Sequence, residues 1–135
     1  DGDTITLATK EKIRFVQIDS PELSSECYGI QARNTLIALL GTSPVTLQTE
    51  SVAGDRDQYE RLLRYVFVGS TNLNLRMVEL GAAAPYFFKG QKGVYAEQLL
   101  KAAQLAQSKK IGLWGACPTT KLNPFKGVAT GPKRN

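Results

Sequence analysis

The chain has 135 residues, 42% apolar and 21% charged, proportions that suit one domain with one core and exclude a disordered polypeptide. No apolar run approaches the ~20 residues of a membrane span, so no membrane partner is expected. The net charge of +5 is unevenly placed: residues 1–60 hold ten acids and five bases, whereas residues 61–135 hold twelve bases against Glu79 and Glu97. An acidic half beside a basic half suits a metal-using enzyme acting on a polyanion, and equally suits solvated charge with a basic tail.

The chain opens on Asp1 with no room for the start of a strand, which reads as a trimmed N-terminus. Residues 4–9 and 13–18 are β-rich runs joined by the polar turn Lys10-Glu11-Lys12, and Pro21 stops the second run. A short loop leads into a helix over residues 30–40, where Ala32, Leu36, Leu39 and Leu40 share a face and Gly41 follows the last turn. Residues 45–48 are a third strand. Gly54-Asp55-Arg56-Asp57 is a turn, and residues 61–68 are a fourth strand. A short helix over 72–80, capped by Asn72 or Asn74, precedes a fifth strand over 82–88. The longest helix covers 95–110, with Tyr95, Leu99, Ala102, Ala103 and Ala106 on one face; Gly112 ends it and Trp114 packs beyond it. These elements give an α+β fold over residues 1–117 and are compatible with a mainly β structure, a small closed barrel decorated by helices. Residues 118–135, rich in Pro, Gly, Lys and Thr without periodicity, read as an extended C-terminal tail. Small barrels of this kind commonly bind nucleic acid.

Two carboxylate clusters border the first two strands: Asp1-Gly2-Asp3-Thr4, and Asp19-Ser20-Pro21-Glu22. Each alone is an ordinary turn. An EF-hand is excluded, because Thr6 and Lys12 stand where that loop needs Gly and an acid. Flanking a hairpin, the two clusters converge, and crowded carboxylates repel unless a cation or proton offsets them. With no histidine in the chain, such a cation would be a hard one held by oxygen. Arg14 and Arg61 are planar forks that match phosphate oxygens. Arg14 and Asp19 are separated by an odd number of residues, so a straight strand would aim them at opposite faces, and the site requires a bend or strand end between them. Tyr86-Phe87-Phe88-Lys89 places aromatics beside a base, with Phe87 expected in the core, and Tyr59 is a further stacking candidate.

Cys27 and Cys117 lack a zinc-site pattern and are either a disulfide or two buried thiols. The bridge is the preferred reading, and with it an oxidising compartment.

Taken in order, these landmarks resemble the staphylococcal nuclease family: Asp1-Gly2-Asp3-Thr4, Arg14 through Asp19-Ser20-Pro21-Glu22, Tyr28-Gly29 before a helix, Asp57-x-Tyr59-x-Arg61, Tyr86-x-Phe88-Lys89, and a Lys-rich helix ending near Leu113-Trp114. The resemblance spans residues 1–114. It implies a five-stranded OB-fold barrel with three α-helices, and calcium-dependent cleavage of DNA and RNA to 3′-phosphate and 5′-hydroxyl ends. Carried over by position, Asp3, Asp19 and the Ser20 carbonyl would bind Ca²⁺, supported by Asp1. Glu22, Arg14 and Arg61 would be catalytic. Tyr59, Tyr86 and Lys89 would contact the nucleotide. The family usually has Thr at Ser20, Gly at Glu60 and Tyr at Phe88, and Glu60 either alters its turn or pairs with Arg61. Cys27 and Cys117 look like a secreted-branch addition, so a secreted or periplasmic monomer is expected. The alternative is a non-catalytic module of the same fold that binds nucleic acid or protein.

Overall fold

The computed structural model describes residues 1–133. β1 (Thr4–Thr6) and β2 (Lys12–Phe15) form an antiparallel hairpin with Thr4 opposite Arg14. Alternation along β2 buries Ile13 and Phe15 completely and turns Lys12 and Arg14 outward. β4 (Thr46–Gln48) and β6 (Thr71–Asn72) are short; between them runs β5 (Leu62–Val68), the longest strand and rich in β-branched and aromatic residues. β5 lies parallel to β2, with Leu63 opposite Arg14, and antiparallel to β4 and β6. β3 (Ile18–Asp19) leaves this sheet and pairs with β7 (Ala84–Pro85), Asp19 opposite Ala84.

Four helices complete the fold: α1 (Gly29–Leu40), α2 (Leu73–Glu79), α3 (Ala96–Ser108) and the single turn α4 (Leu113–Ala116). Of the two candidate caps, Asn72 is the one that caps α2, accepting from the Leu75 N–H at 3.2 Å. Asn74 is wholly buried instead, accepting from Val66 N–H at 3.0 Å and donating to the Val16 carbonyl at 2.8 Å. One amide thus ties the end of β2 to β5 through α2. The core gathers Ile13, Phe15, Ile18, Val66, Met77 and Leu99 between the sheet and the helices.

The α+β architecture stands, with two corrections. Among the described residues the main sheet has five strands, in the order β1-β2-β5-β4 with β6 also on β5, but its pairings close no barrel; β3 and β7 form a separate two-stranded sheet, and four helices replace three. α4 is too short to show a helical period. The predicted strand over 82–88 shrinks to Ala84–Pro85, because Pro85 offers no N–H and Phe88–Gly90 turns as a 3₁₀ helix through a left-handed Lys89 (φ 55°).

Cys27 and Cys117 are bridged. The bridge lies in a second apolar cluster with Leu113, Trp114 and Val128. Residues 118–133 have almost no regular structure, yet Thr120, Val128 and Thr130 are buried against the body. Residues 134 and 135 of the expected tail lie outside the described residues.

Candidate active site

The required bend is present. β2 ends at Phe15, and Gln17 turns the chain with a left-handed backbone (φ 68°) before β3 begins. Gln17 is held there by its amide, which donates to the Gln91 carbonyl at 3.0 Å and accepts from Gly93 N–H at 2.7 Å. Arg14, with 14% of its side chain exposed, folds over this bend: Nη1 donates to the Phe15 and Ile18 carbonyls, while Nη2 lies 3.3 Å from Asp19 Oδ1 and 3.4 Å from Asp3 Oδ2. One guanidinium nitrogen therefore touches both acid clusters.

Asp3 is buried, with Oδ2 accepting from Ser20 N–H at 3.0 Å and Oδ1 from Thr4 Oγ1 at 3.0 Å. Asp19 Oδ2 accepts from the Val128 N–H at 2.9 Å. Burial pushes the Asp19 carboxyl up to about 6, against the opposing pull of the Val128 N–H and Arg14; Asp3 and Glu26 add to the rise. A calcium ion fits this chemistry: two carboxylates already share one cationic group, every donor is oxygen, and Ser20 Oγ is buried without a hydrogen-bond partner. Among the described residues no group of three or more acid, cysteine or histidine side chains is placed to hold a metal.

Glu22 opens the adjoining turn, and Asp1 reaches that turn from the start of the chain. Asp1 Oδ1 accepts from Leu23 N–H at 3.1 Å, and Glu22 N–H donates to Glu26 Oε1 at 2.8 Å, leaving the Glu22 side chain exposed. The turn closes tightly onto α1: a Cβ at Gly29 would lie 2.1 Å from the Glu22 carbonyl oxygen, so only glycine is accommodated there.

Arg14 also borders a groove of about 1010 Å³, lined by Tyr59, Arg61, Tyr86, Phe88 and Lys89 among others. Arg61 is fixed by Asp57, Nε to Oδ2 at 2.7 Å, while Asp57 Oδ1 accepts the N–H groups of Tyr59 and Arg61 at 2.9 and 3.0 Å. Burial would raise the Asp57 carboxyl, but the hydrogen bonds and charge of Arg61, with the Tyr59 N–H, outweigh it and hold the group below the usual range. The Tyr59 ring centroid is 5.3 Å from the Arg61 guanidinium carbon, and the ring of Phe88 lies 6.3 Å from that of Tyr86. Despite these contacts Tyr59 and Phe88 remain 69% and 63% exposed. Phe87 is fully buried in the core as expected. Glu60 does not pair with Arg61; it holds a left-handed backbone (φ 64°), a conformation that glycine adopts without strain.

The predicted residues thus fall into three adjoining groups: Asp3, Asp19 and Ser20 under Arg14; Asp1 and Glu22 at the turn; Arg61, Tyr59, Tyr86 and Lys89 along the groove. Sequence reasoning missed Gln17, Asp57 and Val128. The odd spacing of Arg14 and Asp19 signalled a bend without naming its residue, Asp57 was visible only as part of a motif, and nothing in the tail pointed to Val128.

A family model described as "Staphylococcal nuclease homologue" matches residues 12–116. The chain is 36% identical over 118 residues to an "Uncharacterized endonuclease" of Haemophilus influenzae, covering 84% of this chain and 61% of that protein. It is 31% identical over 136 residues to "Endonuclease YncB" of Bacillus subtilis (94% of this chain, 64% of that one) and 27% identical over 120 residues to a "Thermonuclease" of Staphylococcus intermedius (84% and 71%). The chain therefore spans a little over three-fifths of the first two relatives.

Proposed function

This chain belongs to the staphylococcal nuclease family, and from that premise we propose that it is a calcium-dependent nuclease, hydrolysing phosphodiester bonds of DNA and RNA to 3′-phosphate and 5′-hydroxyl ends. The observation that carries the reading is Arg14, which faces two convergent carboxylates and borders a groove that also holds Arg61.

Asp3, Asp19 and the Ser20 carbonyl would hold the calcium, with Asp1 in support. Bound there, calcium would supply positive charge to polarise a phosphate oxygen. Glu22, exposed at the turn, orients the attacking water and accepts its proton. The water oxygen forms a bond to phosphorus as the bond from phosphorus to the 5′-oxygen breaks. That oxygen leaves with the electron pair of the broken bond and takes a proton from solvent water to become the 5′-hydroxyl, and the phosphate stays on the 3′ side. Arg14 and Arg61 neutralise the charge that builds on the phosphate oxygens. Asp57 holds Arg61 in place, Tyr59, Tyr86 and Phe88 offer faces to base or sugar, and Lys89 pairs with the backbone. The disulfide supports a secreted or periplasmic setting, and the protein acts as a monomer.

The test is hydrolysis of single-stranded DNA, with calcium and with chelator, by wild type and Arg61→Ala. Cleavage that needs calcium and falls by about 10³-fold or more without Arg61 supports the reading. Binding that survives chelation without product makes the chain a non-catalytic binding module instead.

A further inference from the structure

We propose that residues 124–133 form a strap that completes the cation site, the Val128 N–H pinning Asp19 Oδ2 so that Oδ1 is presented toward Asp3. The inference rests on the calcium reading above and adds a positioning residue to it, from a segment beyond the residues 12–116 that match the family.

The strap is tied down along its length. The Pro124 carbonyl accepts from Phe87 N–H at 2.7 Å, and the Gly131 carbonyl accepts from Cys27 N–H at 3.0 Å. Thr130 Oγ1 donates to the Cys27 carbonyl at 2.6 Å, and Lys133 N–H to the Ser25 carbonyl at 2.9 Å. Its far end therefore follows the turn that begins at Glu22, and the Cys27–Cys117 bridge fixes the root of the segment to the same turn. Between these anchors Gly127 passes beside the carboxylate with φ 73°; a Cβ there would lie 2.7 Å from Asp19 Oδ2. Val128, buried on the apolar cluster around the disulfide, then points its N–H at that oxygen. The geometry divides the labour of the carboxylate: Oδ2 is taken by the strap, and Oδ1 lies where Arg14 Nη2 also reaches Asp3. An outer hydrogen bond of this kind orients a metal ligand, and its loss typically weakens metal binding by about 10- to 100-fold.

Two variants test it. Gly127→Ala drives a methyl group into Asp19 Oδ2. An ester in place of the Val128 amide, installed by ligating a synthetic 117–135 peptide at Cys117, removes only the donor. Calcium affinity is measured by titration calorimetry, with circular dichroism and thermal unfolding in chelator as the check on folding. The expected result is calcium binding weakened by about 10- to 100-fold, with the calcium midpoint of DNA cleavage shifted equally and the rate recovered at saturating calcium. A merely structural strap would lower the melting temperature and the rate at every calcium concentration without moving the midpoint. A folded ester variant that binds calcium within about twofold of wild type overturns the strap alone. Wild type that binds no calcium overturns the cation site and the strap together.

Discussion

Arg14 and Asp19, five residues apart, face each other across the left-handed bend at Gln17, Nη2 to Oδ1 at 3.3 Å. The same nitrogen reaches Asp3, so without calcium the guanidinium is the cation that keeps two carboxylates together. Arg14→Ala leaves both unpaired. In chelator it is expected to cost up to about 3 kcal/mol, the lower end for breaking a buried pair because Asp19 is partly exposed. Calcium should erase most of that deficit while activity stays about 10³-fold down. Urea denaturation with and without calcium checks the first part, and a deficit that calcium leaves unchanged would count against a shared cation site.

The raised Asp19 carboxyl sets the direction of a pH effect. On the calcium reading the ion would bind the ionised form, and the group takes up a proton as pH falls through about 6. Calcium affinity is therefore expected to be flat above pH 7 and to weaken below 6 by up to about tenfold per pH unit. Without calcium the sign for stability is opposite: a folded-state value above the ordinary 3.8 means that ionised Asp19 disfavours the fold above about pH 6, a deficit relieved toward pH 4. Titration calorimetry at pH 5, 6 and 7 tests the first statement, and proton release on calcium binding at pH 6 is its companion signal.

Much of this site was legible because its parts are local in sequence. The acid clusters border β1 and β3, Arg61 leads into β5, and the periods of α1 and α3 are strong enough to place both helices within a residue or two. The illegible parts are those set by long-range contact. The parallel pairing of β2 with β5 has no turn to announce it. The left-handed state of Gln17 is imposed by Gln91 and Gly93, some 74 and 76 residues away. Residues 118–133 lack any period because backbone hydrogen bonds and a disulfide, rather than an apolar face, hold them down.

Glu50 holds the backbone of Val52, a residue that lines the groove. Only 6% exposed, it accepts from Tyr65 Oη at 2.6 Å, Val94 N–H at 2.6 Å and Val52 N–H at 3.1 Å. Burial acts to raise its carboxyl, and these three donors together with the Ser51 hydroxyl overcome it, leaving the group below 4.5. A depressed value stabilises the fold above the unfolded-state pKa, and that contribution is lost as pH falls through the lower folded value. Glu50→Gln should cost about 2 kcal/mol at pH 7, as for hydrogen bonds to a charged group, and should flatten the stability profile below about pH 4.5. An acid limb identical to wild type would rule out this role.

The Cys27–Cys117 bridge closes a 90-residue separation, worth at most about 4.6 kcal/mol in chain entropy. Cys27→Ala with Cys117→Ala should lower stability by about 2–4 kcal/mol and weaken calcium binding as well, since the bridge roots the segment that carries Val128. A double variant that loses stability but keeps its calcium affinity would show that the strap's hydrogen bonds suffice.

Glu60 carries a backbone penalty, and its side chain returns only a through-space attraction to Arg56. Its φ of 64° costs an L-residue roughly 1–2 kcal/mol, and the ion pair of Arg61 goes to Asp57 instead. The main chain does the local work: Glu60 N–H donates to the Asp57 carbonyl at 3.0 Å, and its own carbonyl accepts from Arg56 Nη1 at 2.8 Å. Both bonds survive substitution. Glu60→Gly should therefore release the strain, less the ~0.5–1 kcal/mol of extra freedom glycine has when unfolded, for a net gain of about 0.5–1 kcal/mol. Glu60→Ala removes the same charge beside the groove but keeps the strain, so the two variants should bind DNA alike while only the glycine gains stability. Urea midpoints of the pair decide it: equal values would mean that the turn, rather than the residue, absorbs the cost.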